Sequence, residues 1–340
     1  MTTDLLCSLV QHNCNIADAR HAANYTLCTY LMKMREFCRW DKGYSYNRLL
    51  PKEEVGEWVS ERESLWEELE QESYSPIEVD NKTFDPFDTE AINETLLPKG
   101  MVYSGGIGAG CSPHFFLGKL ASKELFDDHE VILSSEECAR DLGAPPAMTL
   151  GNTIFIRRES VRRMLWEKLQ EWRWHKNESA MSKALSFYDF DADSEAALDE
   201  MTNAEIDSVL LHEQGEIKTS AMLGENWKRY LGSVDNLRHE LLLRAAKDLF
   251  ADSIVTLPAL IEKNKIASIH FFAGNMSPLR RQLCPSFIQT YKDWNNEEDL
   301  SPLSEWAERS ADHWNSVLIR ILEKHEEINE IDDFLIANGQ

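Results

Sequence analysis

The sequence predicts a mainly α-helical protein in two parts: an α+β N-terminal domain over residues 1–147, holding a small antiparallel β element, and an all-α helical-bundle domain over 148–340. Three observations lead there. Apolar residues recur with a helical period through most of the 340-residue chain. Residues 101–135 carry the β-branched, aromatic and glycine content of short strands. The stretch "APPAMTLGN" at 144–152 sets Pro-Pro and Gly-Asn around a segment without helical period, which marks the boundary between the parts.

Taken in order, Asn15 is the expected N-cap of one long helix through "ADARHAANYTLCTYLMKMREFCRW", with Asp18 three residues on. Pro51 opens a second helix in which Val55, Trp58, Leu65, Trp66 and Leu69 form an apolar stripe and glutamates a solvated face. Residues 73–100, rich in Pro, Asn and Asp, read as irregular. "GMVYSGGIGAGCSPHFFLGKL" and "HEVILSS" read as strands joined by a turn at "FDD", and "SSEECARDLG" reads as a capped short helix. Beyond residue 152, helices are expected almost to the end, from "RRESVRRMLWEKLQEWRW" to "SPLSEWAERSADHWNSVLIRILEKHEEI".

The charge balance narrows the function. Thirty-five basic against 59 acidic side chains give a formal charge of -24, which repels phosphate backbones and anionic lipid, so nucleic acid and membrane are not expected partners. The start "MTTDLLCSLV" lacks the features of a secretory signal, and the expected location is cytoplasmic. Seven cysteines without a Cys-x-x-Cys pair read as reduced core residues. No Gly-x-Ser-x-Gly elbow marks a serine hydrolase.

The most informative stretch is "LLLRAAKDLFADS" at 241–253. Its wheel is apolar in nearly every direction, yet Asp248 and Asp252 lie one turn apart on one face. A buried carboxylate needs a cation, a hydrogen-bond donor or a metal. Arg244, four residues from both Glu240 and Asp248, is one expected partner. An ion is the other. "LLHEQGE" supplies His212 and Glu216 at i, i+4, and "IASIHFFAG" supplies His270 among apolar neighbours. His212, Glu216, Asp248, Asp252 and His270 together form a hard oxygen and imidazole ligand set suited to Fe, Mn or Zn, with Glu213 or Glu240 as proton acceptor. Taken alone, the His212/Glu216 pair reads as solvated, because it lies toward the polar Glu205, Ser208 and Thr219. His270 alone reads as a hydrogen-bonded core residue.

Other segments carry weaker signals. Asp189, Asp191, Asp193, Glu195 and Glu200 have the spacing of a calcium loop, but Ser194 stands where the turn needs glycine, so an acidic interhelical loop is expected. Gly105, Gly106, Gly108 and Gly110 precede strand-like sequence, unlike a phosphate-binding turn, and suggest a flexible β-turn or a lid. Arg157, Arg158, Arg162, Arg163 and Arg173 stand beside Trp166, Trp172 and Trp174, a set that could bind an anionic ligand or an acidic partner but is expected to pair with the glutamate-rich helix at 53–72. Asp18, His21, Arg35, Glu36 and Arg39 interrupt an apolar helix, as a buried network or a polar pocket would.

"QHNCNIADARHA", "GEWVSERESLWEELE", "APPAMTLG", "RRMLWEKLQEWRW", "LLHEQGE" and "DSIVTLPALIE" together resemble an uncharacterised proteobacterial protein family with N- and C-terminal parts. The resemblance implies a two-part bacterial protein and carries over no catalytic residue. Two functions follow from the residues themselves: a metal-dependent enzyme, oxidative or hydrolytic, or a non-catalytic acidic scaffold that meets a protein partner or a second copy through its Trp-rich helices.

Overall fold

A computed structural model describes residues 3–108, 111–294, 299–324 and 331–340. Gly110 and residues 325–328 of the last expected helix lie outside them. The chain forms two compact units, Met1–Lys168 with Phe190–Thr202, and Leu169–Asp189 with Asn203–Gln340.

The first unit begins with helices α1 (Thr3–His21), α2 (Leu27–Asp41) and α3 (Lys52–Leu69). The single long helix expected from Asn15 is therefore two. Asn15 lies inside α1 and accepts from Arg62 at 3.0 Å. The break falls at Thr26, whose hydroxyl caps α2 by accepting from the Thr29 N–H. A hairpin, β1 (Ile77–Val79) with β2 (Lys82–Phe84), and helix α4 (Thr89–Leu96) occupy the stretch that reads as irregular. Asp80 and Asn81 both take positive φ, 51° and 61°, as a two-residue hairpin turn requires.

The five strands that follow correct the expected fold class. They are β3 (Met101–Ile107), β4 (Pro113–Leu125), β5 (Glu130–Arg140), β6 (Ala147–Leu150) and β7 (Thr153–Arg157), hydrogen-bonded in the order β3-β4-β5-β7-β6. In place of a small antiparallel β element there is a five-stranded mixed sheet, with β5 parallel to β7 and the other pairs antiparallel. "Mainly α" holds for the whole chain but understates this half. The expected short helix at "SSEECARDLG" is largely the second half of β5, pairing with Leu120–Phe116 of β4. Gln11 of α1 brackets that strand's end, donating to the Arg140 carbonyl at 3.0 Å and accepting the Arg140 N–H at 3.1 Å. Long-range pairing thus overrides a local acid-rich pattern. Register slips at Leu117/Gly118 and around Leu120 are bulges that curl the strand. Gly118 is required there, since a Cβ would lie 2.4 Å from the Glu136 carbonyl oxygen. Gly105 and Gly106 are paired residues of β3 rather than a lid.

Helix α5 (Arg158–His175) follows the sheet directly, then α6 (Ala180–Leu185) and α7 (Ser194–Gly232), which is broken at Gly224, where φ is 70°. The acidic segment before α7 is a capping loop: the Asp193 carboxylate accepts the N–H groups of Glu195 at 3.0 Å and Ala196 at 3.2 Å. The described part of the second unit continues with α8 (Leu237–Ala251), a wide π turn (Asp252–Thr256), α9 (Leu257–Glu262), α10 (Ile266–Asn275), α11 (Pro278–Leu283), α12 (Pro285–Asp293), α13 (Ser301–Lys324) and α14 (Ile331–Ala337). Its core gathers Leu242, Leu249, Phe250, Phe287, Trp306 and Trp314. Seven of the chain's ten tryptophans are buried, so these rings are mainly core; Trp174 stays 68% exposed. Among the described residues no helix is long and apolar enough to cross a membrane.

Candidate functional site

Helix α8 is fixed at its start by Asn236, whose side chain accepts from the N–H groups of Arg238 at 2.9 Å and His239 at 3.2 Å. It buries Leu242, Leu243, Ala246, Leu249 and Phe250, as its apolar wheel predicts. At its end Pro258 has no N–H to give the Ile254 carbonyl, and the backbone widens into the π turn beginning at Asp252. Asp252 is 2% exposed and Asp248 half-buried.

Opposite them runs α7. Its polar stripe is not solvated: Glu205 and Thr219 are fully buried, and Glu205 accepts from the Ser268 hydroxyl of α10 at 2.8 Å. His212 and Glu216 continue this stripe toward α8. Gly215 between them permits the approach, since a Cβ there would stand 2.8 Å from the Ala251 carbonyl oxygen.

Two i, i+4 pairs therefore face each other antiparallel, His212 against Asp252 and Glu216 against Asp248. Asp252 Oδ1 accepts from His212 Nδ1 at 2.8 Å and from the Thr256 hydroxyl at 2.8 Å. A carboxylate only accepts, so this bond puts a proton on Nδ1 and makes Nε2 the nitrogen left for another partner. One ligand atom each from His212, Glu216 and Asp248 lies within 4.8 Å of the others. Two cations enter the cluster: Lys247 pairs with Glu216, and Arg280 of α11 with the second oxygen of Asp252.

The electrostatics separate the two central acids. Burial pushes the Asp248 carboxyl up to about 6, with the charge of Glu216 adding to the effect against the opposing pull of His212 and Arg280. Burial also raises Glu216, but the attraction of Lys247 and His212 outweighs it and holds the carboxyl below its ordinary value. The site so contains one firm carboxylate, one acid that exchanges its proton near neutrality, and an imidazole oriented by a third carboxylate. Such a set can bind a divalent cation or pass a proton.

Of the other sequence-selected residues, His270 belongs to a different place. Its Nδ1 lies 2.7 Å from the Tyr291 hydroxyl, and its ring packs on Phe187 and Trp294. Glu240 accepts from Arg244 at 2.8 Å, two turns from Asp248 along α8. Glu213 follows His212 and is half-buried. Arg244 was the cation expected for Asp248; Arg280 and Lys247 enter the cluster instead. Lys247 had a legible signal, a lysine on an apolar wheel beside Asp248. Arg280 had none, because α11 brings it from 28 residues beyond Asp252. The local sequence does fix its place on α11: Ser277 caps that helix by accepting the Arg280 N–H at 3.3 Å, and Pro278 opens its first turn.

The arginine-rich segment is internally paired, though with other acids than expected. Arg162 pairs with Glu195 and with Asp199 at 3.1 Å, Arg158 with Asp199 at 3.2 Å, and Arg163 with Glu137 at 3.4 Å. Helix α3 supplies none of these partners.

Residues 5–157 match the N-terminal domain, and residues 162–337 the C-terminal domain, of a family of unknown function (DUF6866). The chain belongs to this family, and the expected two-part organisation of the resemblance is present. Neither the curated proteins nor the solved structures compared gave a match.

Proposed function

We propose that the second unit carries a divalent metal centre, Fe, Mn or Zn, held by His212, Glu216 and Asp248, and that the protein is a metal-dependent enzyme of oxidative or hydrolytic type. The observation that carries this reading is the convergence of three ligand atoms within 4.8 Å, with Asp252 bonded to Nδ1 of the one imidazole among them. A carboxylate behind a histidine fixes the tautomer and leaves the far nitrogen as the ligand, the usual support of a protein metal site. A bound metal would supply Lewis acidity and lower the pKa of a coordinated water. Around it, Asp252 holds the imidazole, Arg280 neutralises Asp252, and Glu213 or Glu240 would accept the proton.

The test is metal analysis of tag-free protein, with calorimetric titration of Mn2+ and Zn2+ into the chelator-treated form. Stoichiometric metal, lost in His212→Ala and Asp248→Asn, supports the centre. A folded, metal-free protein that takes up neither ion ends the proposal.

Lys247 and Arg280 favour a second reading, in which the cluster is a structural ion-pair network of a non-catalytic acidic scaffold. Exposed Trp174 is its contact point for a protein partner or a second copy. Recovery of one stoichiometric partner from native extracts, or a dimer lost in Trp174→Ser, would support it. We place either form in the cytoplasm and, with a charge of -24, away from nucleic acid.

A further inference from the structure

The first unit holds a polar cavity that the metal centre does not use. It measures about 500 Å3 and lies between the end of α2 with its following loop, the middle of β5, and the starts of α5 and α7. That volume suits a small metabolite.

Two of its wall residues, Glu36 and Arg39, are each 2% exposed. Arg39 Nε donates to Glu36 Oε2 at 2.8 Å, and Nη1 donates to the carbonyls of Ser45 at 2.5 Å and Arg48 at 2.9 Å. An arginine–carboxylate pair commonly makes two parallel bonds, but this one makes a single bond. Among the described residues Arg39 Nη2 has no hydrogen-bond acceptor and Glu36 Oε1 has no donor, with an ion pair from Glu36 to Arg35 at 3.7 Å. A buried donor and a buried acceptor are thus left unpaired on two residues that line the cavity.

Acids outnumber bases on the remaining lining. Arg162 and Arg163 are engaged by Glu195 and Glu137, and Glu136 pairs outward with Lys119 at 2.7 Å. Glu159 accepts the Glu137 N–H and, among the described residues, has no cation at ion-pair distance. Burial pushes its carboxyl up to about 7, as befits an acid awaiting a positive partner. Trp40, Tyr44 and Tyr46 complete the wall, their rings already covered by Arg140 at 5.2 Å, Arg48 at 3.5 Å and Arg162 at 5.0 Å from the ring centres.

We propose that this cavity binds a free basic amino acid, with its carboxylate on Arg39 Nη2, its α-ammonium on Glu36 Oε1 and its side-chain cation on Glu159. A zwitterion answers the open donor and acceptor together, and the side-chain charge answers the acidic surplus. Neither a simple anion nor a simple amine meets both demands.

Calorimetric titration of the full chain with L-arginine tests this, with agmatine lacking the carboxylate and L-citrulline lacking the side-chain charge. Saturable one-site binding of L-arginine is expected, with the other two at least about tenfold weaker. Ser45→Trp, an exposed residue at the cavity wall, is expected to abolish binding while the thermal midpoint stays near wild type. Glu159→Gln keeps an acceptor for the Glu137 N–H and is expected to erase the preference for arginine over citrulline; it decides the matter if Ser45→Trp does not fold. No saturable heat with L-arginine, equal binding of citrulline by the wild type, or full binding in a folded Ser45→Trp would overturn the proposal.

Discussion

His212 Nδ1 lies 2.8 Å from Asp252 Oδ1, a contact across 40 residues of chain that ties the middle of α7 to the end of α8. Asp252 is in turn held by Thr256 and Arg280, so the imidazole is set by a network anchored on three elements. For a metal site, that support matters as much as the ligands. Asp252→Asn is expected to weaken Mn2+ or Zn2+ binding by about 10- to 100-fold, read by calorimetry. Unchanged affinity would remove Asp252 from the site.

The same approach depends on Gly215. Gly215→Ala puts a methyl 2.8 Å from the Ala251 carbonyl oxygen, which is backbone and cannot swing aside. The helices must separate, at an expected loss of about 1–3 kcal/mol in urea denaturation. Metal affinity should fall with it, because His212 and Asp252 move apart.

Lys247 separates the two readings of the cluster. Its ammonium occupies an oxygen of Glu216 that a metal would use. If the residues form a metal centre, Lys247→Met frees that carboxylate and is expected to raise divalent affinity several-fold. If they form an ion-pair network, the same change strands a buried acid and lowers stability by about 3–5 kcal/mol without metal rescue. Denaturation with and without Mn2+ distinguishes them.

Glu205 gives the protein a pH signature. Burial lifts its carboxyl from the ordinary 4.5 to about 7, against the lowering effect of the nearby Ser208 hydroxyl and the hydrogen bond from Ser268. The unfolded chain releases this proton near 4.5, so between the two values the folded state binds more protons. Its contribution to stability is complete below about pH 4.5 and is lost as the pH rises through about 7, by about 3 kcal/mol. Glu205→Gln should flatten that slope and be more stable than wild type at about pH 8, as urea midpoints at several pH values would show. A slope equal to wild type would contradict the assignment.

Much of the site was legible before folding. The apolar wheel of 241–253 forces Asp248 and Asp252 toward partners inside the protein, and i, i+4 spacing puts His212 and Glu216 on one face. These are properties of a single helix, where local geometry suffices. The hidden parts depend on a second element. The wheel of α7 shows Glu205, His212, Glu216 and Thr219 together, yet whether such a stripe meets water or α8 and α10 is decided by packing. Arg280 and the separation of His270 from the cluster depend on where α11 and α10 turn.

The sheet shows the same division more sharply. The sequence by itself determined that residues around 101–135 favour strands and that an acidic, tryptophan-rich helical chain surrounds them. Tertiary structure decided that 134–140 extends rather than coils, because its hydrogen bonds go to β4 and Gln11 and its buried Glu137 meets Arg163. It also decided that β5 and β7 run parallel. Helical bonds close within four residues and are written in local sequence; strand bonds and buried ion pairs close over tens of residues, so the complete chain selects them.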